Sequence, residues 1–284
     1  MTLLETTQHR LEKAHIPMDL LEKWNTLVTN LGGISSAVVA FSGGVDSSFL
    51  AYTAHLVMGD RITAVTIQSV VDPAGQMDQA STFAQEHHIP HVILSHNPLE
   101  NPHFYKNPVD RCYYCKKDLL GIIWEYALAN GFKAVLEGQN VDDGKEYRPG
   151  RKAVLETGTL SPLAQYGLTK ADIRLLAKTL HLPVWTQPSS PCLATRFPYG
   201  TPITSKALKQ VDAAETYLHN WGFREVRVRI LGNNASIEVP QEQIMELMVM
   251  RLAVVEALKD IGFRTITVDL QGYRSGSLNE GIIQ

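Results

Sequence analysis

The stretch that decides the fold is Val38-Val39-Ala40-Phe41-Ser42-Gly43-Gly44-Val45-Asp46-Ser47-Ser48, followed by Phe49-Leu50-Ala51. An apolar run ends in a turn rich in hydroxyls and glycine, and a helix-like apolar pattern resumes at once. That is the order of a strand, a tight loop and a helix. Glycines let such a loop turn sharply and aim several backbone N–H groups at one point. The helix behind it adds the positive end of its dipole, and Ser47 and Ser48 offer hydroxyls in its first turn. The stretch therefore reads as a phosphate cradle. It is neither G-x-x-x-x-G-K-[ST] nor G-x-G-x-x-G, which sets aside the Walker and dinucleotide loops.

Outward from this loop, the first 200 residues alternate between buried strands and helices. An amphipathic lead-in helix is expected over residues 17–31, with Leu20, Leu21, Trp24, Leu27 and Val28 at helical spacing. Strands are expected at 37–41, 62–67, 91–94 and 134–136, with helices at 49–57, 78–87 and 118–129. Residues 160–163 read as short and extended, and Thr169 with Asp172 opens a further helix in capping-box fashion. Such alternation predicts an α/β fold with a doubly wound parallel sheet. Ligands of these sheets bind beyond the strands' carboxyl ends, where Gln68, Gly138, Asn140 and Asp142 fall.

Near residue 200 the texture changes. Helical stretches at 205–221 and 241–261 are interleaved with alternating strands at 226–230, 235–239 and 265–270. They predict a smaller α+β domain over 201–284, after a nucleotide domain over 1–200. Arg227 and Arg229 share one strand face by alternation.

The chain has 284 residues, 44% of them hydrophobic and 19% charged, with a net charge of −3, as in a soluble globular protein. An acidic balance argues against a broad nucleic-acid surface. No apolar run approaches the roughly 18 residues of a membrane span. No secretory leader is evident at the N-terminus, so a cytoplasmic location is expected. The histidines at 87, 88, 91, 96 and 103 match no compact ligand spacing and read as structural or surface residues.

Three cysteines are present, Cys112, Cys115 and Cys192. Cys112-Tyr113-Tyr114-Cys115 is a redox pair or half of a metal site. With a single C-x-x-C, a four-cysteine zinc site cannot close within one chain. Three thiolates and one open position suit a 4Fe–4S cluster; zinc with three cysteines and a histidine, or three unrelated thiols, remain alternatives. Cys192 lies between prolines and Arg196, a stiff and electropositive setting that favours a reactive thiolate.

The string S-G-G-V-D-S resembles the loop of the PP-loop ATP pyrophosphatases, which cleave ATP between the α and β phosphates to adenylate a substrate oxygen. Ser42, Gly43, Gly44, Asp46, Ser47 and Ser48 match its positions. E-G-Q-N-V-D-D with E-Y-R-P-G, S-P-L with G-L-T-K, C-L-A-T-R-F-P-Y-G-T, Arg227-Val228-Arg229 and G-Y-R-S-G extend the likeness over residues 17–280. Together they resemble the LarE-type sulfur transferases of nickel-pincer nucleotide biosynthesis.

The resemblance implies ATP, Mg²⁺ held by Asp46, and a pyridinium-3,5-biscarboxylic acid mononucleotide substrate whose carboxylates become thiocarboxylates. It implies substrate contacts from Arg196, Arg227 and Arg229, and a role near the sulfur for Glu215, as acid/base or metal ligand. Cys112, Cys115 and Cys192 place the chain in the branch whose 4Fe–4S cluster carries the sulfide. In the other branch a cysteine at the position of Cys192 gives up its own sulfur. A hexamer is expected from resemblance alone. A tRNA-thiolating PP-loop enzyme, an amidating synthetase and a non-catalytic nucleotide-binding sensor are the rival readings.

Overall fold

A computed structural model describes residues 3–144, 149–188, 190–274 and 276–279. In chain order its elements are α1 (Leu3–Lys13), α2 (Met18–Gly32), β1 (Ala37–Ala40), α3 (Val45–Met58), β2 (Ile62–Ser69), α4 (Gln76–Glu86) and β3 (His91–His96). Then come α5 (Pro102–Tyr105), α6 (Arg111–Ala129), β4 (Ala134–Glu137), α7 (Gly150–Thr157), α8 (Pro162–Gln165) and α9 (Lys170–Thr179). The chain continues through α10 (Ser205–Asn220), β5 (Arg227–Leu231), β6 (Asn234–Glu238), α11 (Ile244–Val249), α12 (Arg251–Ile261) and β7 (Thr265–Val268). They form two compact units: residues 1–69, 75–96 and 112–190, and residues 70–74, 97–111 and 191–284.

The first unit is the α/β part. Its four strands are parallel and ordered β3-β2-β1-β4. Both sheet faces are covered, which explains why the strands read as apolar runs rather than as alternating patterns. On one face, Ala37 and Val39 pack with Trp24, Leu27 and Leu31 of α2, Phe49 and Leu50 of α3, and Ile173 and Leu176 of α9. On the other, Val38, Val65 and Val135 pack with Ile123 and Ala127 of α6. Full burial of each such large side chain is worth about 1.5–3 kcal/mol.

The chain lays β2 and β3 on one side of β1 and β4 on the other. That reversal opens a crevice at the carboxyl ends of β1 and β4, the switch point where open α/β sheets bind ligands.

The second unit carries a three-stranded sheet, β5-β6-β7, antiparallel between β5 and β6 and parallel between β6 and β7. α10 packs on β5 and α12, with Leu208, Val211, Ala214 and Leu218 buried together with Val228 and Leu258.

Three local expectations change. α6 starts at Arg111 rather than near 118, so both cysteines of the C-x-x-C are helical. The stretch contains no helix breaker, and the turn begins where the Arg111 N–H bonds the Pro108 carbonyl. The expected 241–261 helix is a 3₁₀ turn followed by α11 and α12, broken at Met250; no residue at the break forces it. Residues 160–163 are not an extended run: Leu160 forms a single bridge to Leu136, and Pro162 starts α8, a place that suits proline.

Candidate active site

The loop after β1 is shaped by two glycines. Gly43 has φ +77°, and a Cβ there would lie 3.0 Å from the Ala80 Cβ, so only glycine fits without strain. Gly44 caps α3 in extended conformation. Within the loop, the Ser42 N–H donates to Ser47 Oγ at 3.2 Å, the two hydroxyls lie 3.0 Å apart, and Ser47 Oγ donates to the Gly44 carbonyl at 3.1 Å. Ser48 is fully buried, and its Oγ has no hydrogen-bond partner among the described residues.

Asp46 leads a charged cluster at this edge. Its Oδ2 accepts from Lys170 Nζ at 2.7 Å and from Asn140 Nδ2 at 3.3 Å. Its Oδ1 is buried and unpartnered among the described residues. Burial raises the Asp46 pKa above its ordinary value, against the opposing pull of Lys170. A desolvated carboxylate oxygen with no donor beside a phosphate cradle suits a hard divalent cation, which binds through one or two carboxylates plus phosphate.

The segment after β4 closes the other wall. A Cβ on Gly138 would stand 2.8 Å from the Ser47 nitrogen, so glycine here lets the segment touch the first turn of α3. Asn140 is buried; its N–H donates to Asp143 Oδ2 and its Oδ1 accepts from the Asp142 N–H. Asp142 Oδ2 accepts from the Lys170 N–H at 2.9 Å, which pins the start of α9 to this edge. The structure thus gathers Ser42, Gly43, Gly44, Asp46, Ser47, Ser48, Gly138, Asn140 and Asp142 at one edge of the sheet. Gln68 lies exposed near the carboxyl end of β2, two strands from β4.

Sequence reasoning assigned no role to Lys170, although it quoted the G-L-T-K string; the capping box of Thr169 and Asp172 was the signal that a helix start, and so a functional edge, lay there. Glu137 was missed as well. It is buried at the end of β4 opposite Ala40, and its Oε2 takes Lys116 Nζ at 2.9 Å. The Gln139 N–H and Ser161 Oγ bond its other oxygen. Lys116 follows Cys115 directly, so this ion pair ties the cysteine-bearing helix to the nucleotide edge.

Cys112 is exposed and Cys115 half-buried, one turn apart on α6, close enough for their thiols to share one helix face. Cys192, also half-buried, belongs to the second unit. Among the described residues no group of three or more His, Cys, Asp or Glu side chains is gathered to hold a metal ion. Of the histidines, the His87 ring lies 4.4 Å from that of Phe83, His91 lies 2.7 Å from Thr66 Oγ1, and burial lowers both pKa values. Glu146, Tyr147 and Arg148, quoted from the sequence, fall outside the described residues, as do Ser189 and Ser275.

In the second unit the expected site residues form a different kind of cluster. Arg196 is 2% exposed and Glu215 4%. Their fork is bidentate, with Nε to Oε1 at 2.8 Å and Nη2 to Oε2 at 2.6 Å, the strong geometry for a guanidinium and a carboxylate. Glu215 also accepts from the Val228 N–H at 2.8 Å. Arg229 makes the same fork with Glu238, at 2.9 and 2.8 Å. Arg227 differs. It is 9% exposed and meets the Val226 carbonyl at 2.7 Å and the face of Tyr273, with no carboxylate fork of its own among the described residues. Burial first, and then the neighbouring Arg196 charge, lower its pKa.

The NAD synthase family model matches residues 19–103, a stretch that includes the phosphate loop. An uncharacterized protein of Synechocystis sp., slr1717, is 40% identical over 262 residues, 92% of this chain and 98% of the relative. Pyridinium-3,5-bisthiocarboxylic acid mononucleotide synthase of Lactiplantibacillus plantarum is 38% identical over 264 residues, 92% of this chain and 95% of that enzyme. The B subunit of glutamine-hydrolyzing GMP synthase from Thermoplasma volcanium is 27% identical over 176 residues, 56% of each chain.

Proposed function

Since the chain belongs to the family of pyridinium-3,5-bisthiocarboxylic acid mononucleotide synthases, and so is an ATP-dependent sulfur transferase, we propose that it converts the two carboxylates of pyridinium-3,5-biscarboxylic acid mononucleotide to thiocarboxylates. The observation that carries the reading is Asp46: a carboxylate inside the phosphate loop, held by Lys170, with one buried oxygen left for a cation.

In this reading the α/β unit activates the substrate, and Cys192, in the second unit, is where sulfur is delivered to it. The loop from Ser42 to Ser48 receives the β and γ phosphates of ATP. Asp46 holds Mg²⁺, and Lys170 neutralises charge developing on the leaving pyrophosphate, an electrostatic role that costs no reorganisation. Gly138, Asn140 and Asp142 line the nucleotide, and Gln68 contacts its adenosine part. A substrate carboxylate oxygen attacks the α-phosphorus; the bond to the bridging oxygen breaks and pyrophosphate leaves. Sulfur then adds to the acyl carbon, and AMP departs with the bonding pair. A second round gives the bisthiocarboxylate. Arg227, a buried cation without a carboxylate fork, takes an anionic group of the substrate.

Cys112, Cys115 and Cys192 are the residues that would hold a 4Fe–4S cluster. The donor set fits in kind: thiolates are the ligands of such clusters, and Cys112 and Cys115 stand one turn apart on α6. When bound, the cluster supplies a sulfide on the iron that no cysteine ligates.

The test is anaerobic reconstitution with iron and sulfide, followed by ATP, Mg²⁺ and the pyridinium biscarboxylate. Pyrophosphate release that depends on this substrate, and more than one thiocarboxylate per chain, are expected. Loss of the mass of H₂S from Cys192 would identify the cysteine itself as the donor. Absence of substrate-dependent pyrophosphate release would sink the reading as a whole.

A further inference from the structure

Two guanidinium–carboxylate forks, one buried and one partly buried, converge on the short 3₁₀ turn Leu193–Arg196 that follows Cys192. Arg196 spends two nitrogens on Glu215, and its third, Nη1, turns back on its own segment. It donates to the Pro191 carbonyl at 2.9 Å, to the Cys192 carbonyl at 3.2 Å and to Thr195 Oγ1 at 2.8 Å. Arg229 spends two nitrogens on Glu238, and its Nη1 donates to the Thr195 carbonyl at 2.6 Å. The Cys192 carbonyl also accepts from the Thr195 N–H at 3.1 Å and from Thr195 Oγ1 at 2.9 Å. At the first residue of the turn, the Leu193 N–H bonds the Val71 carbonyl at 2.7 Å.

A loop carbonyl normally has one partner or is solvated. The Cys192 carbonyl has three donors, one of them a guanidinium whose position is fixed by a buried carboxylate. Bidentate forks hold a guanidinium in one orientation. Each fork here leaves one Nη1 aimed at main chain rather than at open space. Glu215, through the Val228 N–H, and Arg229, within β5, anchor the turn to the sheet of the same unit. Charge is balanced within each fork, so neither needs an anionic ligand to complete it.

We infer that Arg196–Glu215 and Arg229–Glu238 are positioning pairs that clamp the backbone on either side of Cys192 and so fix where its sulfur is presented, while Thr195 locks the clamp to the Cys192 carbonyl. This rests on the reading of Cys192 as the place where sulfur is delivered. The pairs act through Cys192 rather than by touching the substrate, and Arg227 stands apart as the cation left for an anion. A displaced reacting atom is costly even when the displacement is about 1 Å, on the order of 10²-fold in rate.

The variants are Thr195→Val, which keeps shape but removes the hydroxyl link, and Arg196→Lys, which keeps the charge but cannot span Glu215 and the two carbonyls together. The full-length chain is treated with a chelator so that its thiols are free. Iodoacetamide labelling is then followed residue by residue by mass spectrometry, with Cys112 and Cys115 as internal standards. Cys192 is expected to label about tenfold faster in both variants, as local opening of the segment becomes easier, while Cys112 and Cys115 label as in the parent. In turnover, thiocarboxylate formation falls on the order of 10²-fold, with substrate KM and substrate-dependent pyrophosphate release unchanged.

Unchanged or slower labelling of Cys192, or a rise in substrate KM that accounts for the whole loss, would overturn the clamp and return Arg196 to substrate contact. If the parent chain shows no substrate-dependent pyrophosphate release, the functional reading fails, and the labelling alone still decides whether the clamp exists.

Discussion

The nucleotide edge and the Cys192 segment are both dense in buried charge, yet they are built on opposite plans. Around Asp46 the network is unfinished. Lys170 and Asn140 satisfy one carboxylate oxygen, while the other oxygen and the Ser48 hydroxyl are buried without partners among the described residues. Leaving such groups unpaired costs about 1–3 kcal/mol each. Around Cys192 the network is complete: each of the two clamping guanidiniums meets a carboxylate, and their remaining N–H groups go to main chain or hydroxyls. In the proposed function, the groups left unpaired at the first site are the ones a metal and a phosphate would satisfy on binding. The second is satisfied before any ligand arrives, as a part that must hold still should be.

The difference breaks most completely at the sulfur. Cys192→Ala should abolish thiocarboxylate formation and leave substrate-dependent pyrophosphate release near the parent rate, because the residues proposed for adenylation lie in the other unit. Product analysis beside a pyrophosphate assay reads both. Loss of both activities together would mean that Cys192 contributes to activation, and that the two clusters are not separable in role.

Next in size is Lys170→Ala. Removing one preorganised charge from a phosphoryl-transfer site costs on the order of 10²–10³ in rate, and pyrophosphate release should fall by that much. Cys192 should keep its alkylation rate. A drop below about tenfold would assign Lys170 to holding Asp46 in the unliganded chain only.

Glu215→Ala probes the completed network through stability. Breaking a buried pair by deleting one partner costs about 3–5 kcal/mol, since the surviving charge is stranded. Chemical denaturation should show a loss of that order. The partly exposed pair of Lys23 and Asp172, at 3.0 Å, is the control: Lys23→Ala should cost no more than about 1 kcal/mol. Equal costs would mean that water reaches Arg196 despite its burial.

How much of this was legible in the sequence follows from how local each signal is. The four parallel strands announce themselves as apolar runs, because both faces of that sheet are covered. The phosphate loop and the segment after β4 do so through glycines whose backbone cannot carry a side chain, Gly43 by its φ and Gly138 by its contact with Ser47. The start of α6 was not legible. Tyr113 and Tyr114 have middling helix preference and mask the helical phase of the cysteines. Partnerships between distant residues were hidden too. Arg229 and Glu238 sit diagonally across the β5–β6 hairpin, two residues off register, so the strand pattern held a clue. Arg196 and Glu215 are joined only by the packing of a loop on α10, and no spacing rule reaches that far.

The smallest effect has an unusual sign. Burial raises the Asp46 pKa from its ordinary 3.8, outweighing Lys170. A carboxyl whose pKa is higher folded than unfolded takes up protons on folding. Its contribution is therefore most favourable below 3.8 and declines as pH climbs through the folded value, leaving the ligand-free chain less stable above that window. Asp46→Asn removes the titrating group while keeping its shape. It should raise the melting temperature of the ligand-free chain at pH 7, flatten the pH dependence of stability just above pH 3.8, and abolish the stabilisation that Mg²⁺ with ATP gives the parent. Stability gained where activity is lost is expected of a site that stores unpaired charge for a ligand. A variant less stable than the parent at pH 7 would mean that the Lys170 pair outweighs the desolvation, and the nucleotide edge would then be as complete, before binding, as the segment that carries Cys192.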